Sequence, residues 1–191
     1  MTKRLIIGLT GASGVIYGIR ALEMLKATDI ETHLILSPAA KATIAQETDW
    51  KVSQVEALAS VRHAHRDVGA AIASGSFQTM GMLVAPCSIK TLSAIANSYS
   101  NDLISRAADV CLKEGRPVLL MVRETPLHKG HLKLMLTAAD AGAIIFPPAP
   151  AFYGRPQSID DLVNGTVGRA LARLGIENEA YFRWKGMGES E

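Results

Sequence analysis

Three short segments carry groups suited to binding an anion and moving a proton. The first is Gly11-Ala12-Ser13-Gly14, which follows the apolar run Leu5-Ile6-Ile7-Gly8-Leu9. A strand that turns tightly into a helix points unpaired N–H groups at a ligand, and the helix dipole adds about half a positive charge. The segment predicts a phosphorylated ligand. The structural alternative is that Gly11 and Gly14 serve only a tight turn and close helix packing. The second segment is Pro86-Cys87-Ser88-Ile89-Lys90-Thr91, where Ser88 and Thr91 fall in the first turn of a helix and form a second anion cradle. The third is Arg123-Glu124-Thr125-Pro126 at a strand end. Adjacent charges there are either a structural ion pair or a phosphate-binding Arg beside a proton-transferring carboxylate.

The first turn is not the fingerprint of a nicotinamide dinucleotide. That pattern is G-x-G-x-x-G with an acid at the end of the second strand. Here the glycines are Gly8, Gly11, Gly14 and Gly18, so the close first pair is missing. The second strand, Glu31 to Leu36, ends in Ser37-Pro38, with Glu31 at its wrong end. A hydroxyl at that position suits a phosphate or a polyol chain.

These segments are positioned by alternating strands and helices. Helices are expected from Val15 to Leu25, Ser88 to Asn97, Asn101 to Glu114, Lys129 to Ala141 and Ser158 to Leu174. Strands are expected at Met82-Ala85, stopped by Pro86, at Pro117-Val122 and at Ala143-Phe146. Continuous apolar strands between helices specify a parallel sheet covered on both faces. The fold class is α/β, a Rossmann-like α/β/α sandwich, and ligands of such sheets sit beyond the strand carboxyl ends. The 191 residues form one expected domain, 1–191, with a polar tail at about 177–191. A chain of this length buries roughly 70% of its unfolded surface.

Composition narrows the function classes. Hydrophobic residues make up 48% of the chain, yet no uncharged apolar run approaches the ~20 residues of a membrane span. No signal peptide is read at the start, and Cys87 and Cys111 look like reduced, packed thiols of a cytoplasmic protein. A net charge of +2 makes no case for nucleic acid. His63-x-His65 and His128-x-x-His131 lack an acid or Cys to complete a ligand set, so no metal is expected. Arg20, Lys26, Arg62 and Arg66 read as solvated charges. The uncharged loop Pro147 to Gly154, with Phe152 and Tyr153, is expected under another subunit or as the wall of an apolar pocket.

Together these motifs resemble the UbiX-like flavin prenyltransferase family over about residues 3 to 186. The resemblance rests on Gly11-Ala12-Ser13-Gly14, Pro86 to Leu92, Arg106 to Val110 with Lys113, Arg123 to Leu127, and Tyr153 with Arg169. It implies a metal-independent enzyme that transfers a dimethylallyl group from dimethylallyl phosphate to N5 and C6 of reduced FMN. The product, prenylated FMN, would serve a UbiD-like aromatic-acid decarboxylase. It further implies a homo-oligomer, commonly a dodecamer. By resemblance, Gly11, Ala12, Ser13, Ser37, Ser88, Ile89, Lys90, Thr91 and Arg123 hold FMN. Lys113, Tyr153, Arg169 and Arg106 hold the prenyl phosphate. Ser13 and Glu124 handle protons, and Trp184 offers a π face. Ile89 stands where Met is common in the family, and Gly115 where a charged residue is common.

The chemistry accords with those roles. Charge-assisted bonds from Lys113, Arg169 and Tyr153 could each contribute roughly 1.5–3 kcal/mol to a departing phosphate. An aromatic face adds only about 0.5–2 kcal/mol to an allylic cation, so the retained phosphate is its main stabiliser. Two alternatives share the fold: an FMN-binding decarboxylase subunit, and a flavin carrier without prenyl transfer.

Overall fold

The computed structural model describes residues 2–184 and Gly186. Six strands form one parallel sheet: β1 (Arg4–Leu9), β2 (Glu31–Leu36), β3 (Val61–His63), β4 (Met82–Cys87), β5 (Val118–Val122) and β6 (Ala143–Ile145). Seven helices connect and cover them: α1 (Ile16–Lys26), α2 (Pro38–Glu47), α3 (Val52–Glu56), α4 (Ile89–Ala96), α5 (Leu103–Lys113), α6 (Lys129–Asp140) and α7 (Ile159–Arg173).

The strand order is β3-β2-β1-β4-β5-β6, and every pairing is parallel. The order reverses between β1 and β4, which opens a crevice at their carboxyl ends. Apart from Arg4 at the start of β1, the central strands β1, β4 and β5 are buried throughout, as a sheet covered on two faces requires. Leu5, Ile7, Leu9, Leu83 and Met121 pack on one face with α1 and α7. Ile6, Met82, Val84, Leu120 and Val122 pack on the other with α4 and α5.

Close approach sets two glycines. A Cβ at Gly18 would collide with the Ala85 carbonyl, so α1 lies directly on the β1/β4 seam. A Cβ at Gly11 would collide with Ala39, where the first turn meets α2.

The structure differs from the sequence reading in three places. Strand β4 runs through Pro86 to Cys87, with a register shift against β5 after Val84. Proline is tolerated there because the shift removes the need for its N–H. Residues 38–63 form α2, α3 and β3, for which the sequence carried little signal. Only Ala40 and Ile44 of α2 are buried, and β3 has three residues, none of them buried. The tail is also anchored: Ile176 is buried, and the Asn178 side-chain amide donates to the carbonyls of Gly168 (2.9 Å) and Ile176 (3.1 Å).

Candidate active site

Thr10, Ser37, Ser88 and Arg123 follow the tips of four adjacent strands, β1, β2, β4 and β5. Buried Thr10 ties two of these tips together. Its N–H (3.3 Å) and hydroxyl (2.7 Å) both donate to the Pro86 carbonyl, and its oxygen accepts the Ser88 N–H at 2.8 Å. Ser37 caps α2 by accepting the Ala40 N–H at 3.0 Å, and Pro38 supplies a first-turn residue with no N–H to satisfy. Ser88 caps α4, accepting the Thr91 N–H at 3.3 Å. Among the described residues, the Ile89 and Lys90 N–H groups take no protein partner. A cavity of about 1310 Å³ lies over these groups, lined by Thr10, Gly11, Ser37, Ser88, Lys90 and Thr91 among others. Open amides, the Ser88 and Thr91 hydroxyls and Lys90 at one helix N-terminus fit a phosphate. A lining that also carries Gly11 and further hydroxyls fits a polyol and a ring system.

The first turn, expected as an open anion cradle over Gly11 to Gly14, is closed by a side chain at its helix end. A Glu47 oxygen accepts the Gly14 N–H at 2.8 Å and the Val15 N–H at 3.3 Å, while among the described residues the Gly11, Ala12 and Ser13 N–H groups take no protein partner. Gly14 adopts φ +94°, a conformation that favours glycine. Desolvation raises the Glu47 pKa, but the Ser13 hydroxyl, the Gly14 and Val15 N–H groups and the Arg123 charge outweigh it. The carboxyl is held below its usual range. Sequence reading missed Glu47, because no local pattern connects the end of α2 to a turn 33 residues earlier.

Arg123 and Glu124 form no ion pair with each other among the described residues, so the structural-pair reading fails. Both are exposed. The Arg123 N–H donates to the Cys87 carbonyl at 3.1 Å, and its charge acts on Glu47 and Tyr17. Glu124 accepts its neighbour's Thr125 N–H at 3.0 Å. Glu47, Arg123 and the Ser13 hydroxyl therefore interact at this rim of the sheet, with Glu124 next to Arg123 in the chain. Cys87 lies beneath that rim, and complete burial pushes its thiol up to about 12. It is a packed group, not a nucleophile.

A second cavity, about 600 Å³, is walled by α1, α7, the 146–156 loop and the tail. The apolar loop contributes Phe146, Ala149, Ala151 and Tyr153 to it. The Tyr153 ring meets Phe182 and Trp184 edge-on at 5.7 and 5.9 Å. The Arg169 guanidinium lies 5.8 Å from the centre of the Tyr181 ring and has no carboxylate partner among the described residues. Tyr153, Arg169 and Trp184 are thus brought to one region.

Lys113 and Arg106 are not brought there. Helix α5 starts beside the first cavity, where the Leu103 N–H donates to the His65 carbonyl at 2.9 Å. Ten residues later, about 15 Å along its axis, Lys113 pairs with Glu114 next to Gly75, toward the amino-terminal ends of the strands. Arg106 pairs with Asp109 at 3.3 Å.

Arg20 departs from the solvated charge expected of it. Only 18% of its side chain is exposed, and it bonds Glu23, Asp160 and Asn164. Arg62 bonds Glu56, which also holds Lys41. His63 and His65 diverge: His63 bonds His33 at 2.9 Å, while His65 faces Asp102 at 3.9 Å.

A doubly wound parallel sheet with a hydroxyl- and amide-lined cleft at its switch point defines a Rossmann-like nucleotide-binding protein. Residues 1–171 match the Flavoprotein family. The flavin prenyltransferase UbiX of Escherichia coli (strain K12) is 58% identical over 96% of this chain and 99% of its own length. That of Thauera aromatica is 53% identical over 98% and 97%. Among solved structures, AnUbiX in complex with FMN and dimethylallyl pyrophosphate superposes with a TM-score of 0.96. The two are 47% identical, over 97% of this chain and 99% of that one. A dodecameric FMN-dependent UbiX-like decarboxylase from Escherichia coli O157:H7 gives 0.93 at 46% identity, covering 96% and 100%. The chain belongs to the flavoprotein family, in its UbiX flavin prenyltransferase branch.

Proposed function

We propose that this protein transfers a dimethylallyl group from dimethylallyl phosphate to N5 and C6 of reduced FMN, making prenylated FMN. The observation that carries the reading is a pair of unlike sites. One is an amide- and hydroxyl-lined cleft, with Arg123 and Glu124 following β5 and Glu47 bonded to the first turn. The other is an aromatic-walled cavity with Arg169, a cation that has no carboxylate partner among the described residues. A carrier needs only the first.

In this reading the open N–H groups of Ile89 and Lys90, with Ser88, Thr91 and Ser37, hold the FMN phosphate and ribityl chain. Gly11, Ala12 and Ser13 pass close to the ring, and Arg123 faces it. When bound, reduced FMN supplies the nucleophilic nitrogen and carbon. Arg169 and Tyr153 hold the donor phosphate and neutralise its charge as it leaves, the task a metal performs in other prenyl chemistry. Trp184 and the apolar loop exclude water from the allylic group. Glu124 takes or gives a proton at the ring edge. Ser13, hydrogen-bonded to the anionic Glu47, connects that edge to a second acceptor.

Lys113 can serve the donor phosphate only from a second copy of this chain, since one protomer holds it toward the amino-terminal ends of the strands. The same holds for a complete phosphate site with Arg106. The reading therefore requires a homo-oligomer, and the dodecameric relative supports one. The product's consumer is a UbiD-like decarboxylase, and the site of action is the cytoplasm. No helix among the described residues is long and apolar enough to cross a membrane.

The test is anaerobic incubation with reduced FMN and dimethylallyl phosphate, followed by mass spectrometry of the released flavin. Gain of one prenyl unit is the expected result. An unchanged flavin mass would refute transfer and leave the carrier reading.

A further inference from the structure

Arg20 is the most heavily bonded charge in the described residues that the proposed reaction does not use. It sits one turn into α1, the helix that springs from the Gly11–Gly14 turn, yet it bonds mainly to another helix. Its Nη2 donates to Asp160 at 2.8 Å, and its Nη1 donates to Asn164. Asp160 and Asn164 are one turn apart on a single face of α7. Its Nε donates to Glu23 on its own helix at 2.9 Å. All three nitrogens of the planar guanidinium are engaged, so its orientation is fixed at both ends.

We propose that Arg20 is a positioning residue that sets the register of α7 against α1, and so places Arg169 and the aromatic wall for the donor phosphate. This rests on the reading of Arg169 and Tyr153 as donor ligands. The rest of the α1–α7 contact is apolar, through Val163, Val167, Ala170 and Leu171 against residues such as Ile19 and Leu22. Apolar contact is non-directional and permits small sliding or rotation. The guanidinium fork does not. Register then propagates along α7 in two ways. Arg169 lies five residues beyond Asn164 on the same rigid helix. The Gly168 carbonyl receives the Asn178 amide at 2.9 Å, which seats the tail bearing Tyr181, Phe182 and Trp184. Arg20 itself lines the same cavity as Arg169 and Tyr153. Its charge is matched by Glu23 and Asp160, so it does not compete with Arg169 for an anion.

The test compares Arg20→Met, which keeps the stem and removes the fork, with Arg20→Lys, which keeps the charge as a single point. Prenyl transfer is measured against dimethylallyl phosphate at saturating reduced FMN, and FMN affinity is measured separately. Arg20→Met is expected to raise the donor KM about tenfold while FMN affinity stays within about twofold, with Arg20→Lys intermediate. Adding Arg20→Met to Arg169→Ala should cost little more than Arg169→Ala alone, because the placed group is already gone. An unchanged donor KM in Arg20→Met, or parallel loss of donor and FMN binding, would overturn the inference. So would fully multiplicative losses in the double variant. If Arg20→Met does not fold, Asn164→Ala removes one arm and is read the same way, with an expected rise of about threefold. Arg169→Ala alone is the control: an unchanged donor KM there removes the donor-site reading and this inference with it.

Discussion

The helices α1 and α4 begin in the same way, after a buried strand and a polar turn at neighbouring tips of one sheet, and they use their N-termini for opposite purposes. At α1 two N–H groups, those of Gly14 and Val15, are closed by the protein's own carboxylate, Glu47, reaching from the end of α2. At α4 the cap is only the small Ser88 hydroxyl, and among the described residues the Ile89 and Lys90 N–H groups take no protein partner beside a cavity that Lys90 lines. A phosphate at α1 would have to displace a carboxylate; at α4 it displaces water. The strand–turn–helix pattern thus marks where an anion is stabilised without saying whether the anion is a ligand or a side chain. The closed end puts a carboxylate and a hydroxyl side by side for proton transfer, and the open end anchors.

The largest effect should come from the proton-handling side. Glu124→Gln keeps the size and the acceptor oxygen but removes the charge, and should slow prenyl transfer by about 10²–10⁴ with FMN still bound. Stopped-flow or product assays check this, and unimpaired turnover would remove Glu124 from the chemistry. Next is the anchoring side. Ile89→Pro deletes one open N–H at the first helical position, where proline is well tolerated and the Ser88 backbone is already extended (ψ 156°). FMN affinity should fall about tenfold or more, with thermal stability little changed. The corresponding deletion at α1, Val15→Pro, should leave FMN affinity within about twofold, because that N–H serves Glu47. Equal losses at the two helices would abolish the distinction.

The open end was legible and the closed end was not, for physical reasons. Ser37-Pro38 and Ser88-x-x-Thr91 are local signals: a cap, a first-turn proline, a hydroxyl three residues on. The buried strands were equally plain, since Leu5–Leu9, Met82–Ala85 and Val118–Val122 are apolar runs too short for helices. Glu47 carries no such signal, because its partner is fixed only when α2 folds back along the first turn. Helix α2 itself is rich in Ala and buries two residues, so periodicity could not announce it. Arg20 failed in the same way. On the sequence it is one charge in an amphipathic helix, and only α7, some 140 residues later, turns it into an inter-helix tie.

A smaller effect should appear away from both helices. His63 bonds the buried His33, and burial first, then the His33 charge, lowers its pKa below the usual 6.5, against Asp67. The folded state therefore favours the neutral ring, the unfolded state binds the proton more readily, and stability is lost as pH falls through and below about 6.5. Urea unfolding at pH 7.5 and 5.5 should show lower stability at the acid value, and His63→Gln should reduce that difference.

The smallest expected effect tests the closed end directly. The Glu47 pKa is depressed below 4.5 in the folded protein. A depressed carboxyl contributes stability that is present above its unfolded value and lost as pH falls through the folded one. The window is thus below about 4.5, where protonation weakens the acceptor that closes α1. Because Glu47 is exposed, solvent screens its interactions, and the cap is worth at most roughly 0.5–1 kcal/mol. Glu47→Ala should lower stability by that amount at pH 7. Glu47→Gln, which keeps an acceptor oxygen for Gly14 and Val15, should lose less at pH 7 and show a flatter acid limb. A Glu47→Ala protein as stable as the wild type would mean that water closes α1 as well as the carboxylate does. In that case the turn at Gly11–Gly14 would be an open anion site after all, and the contrast with α4 would disappear.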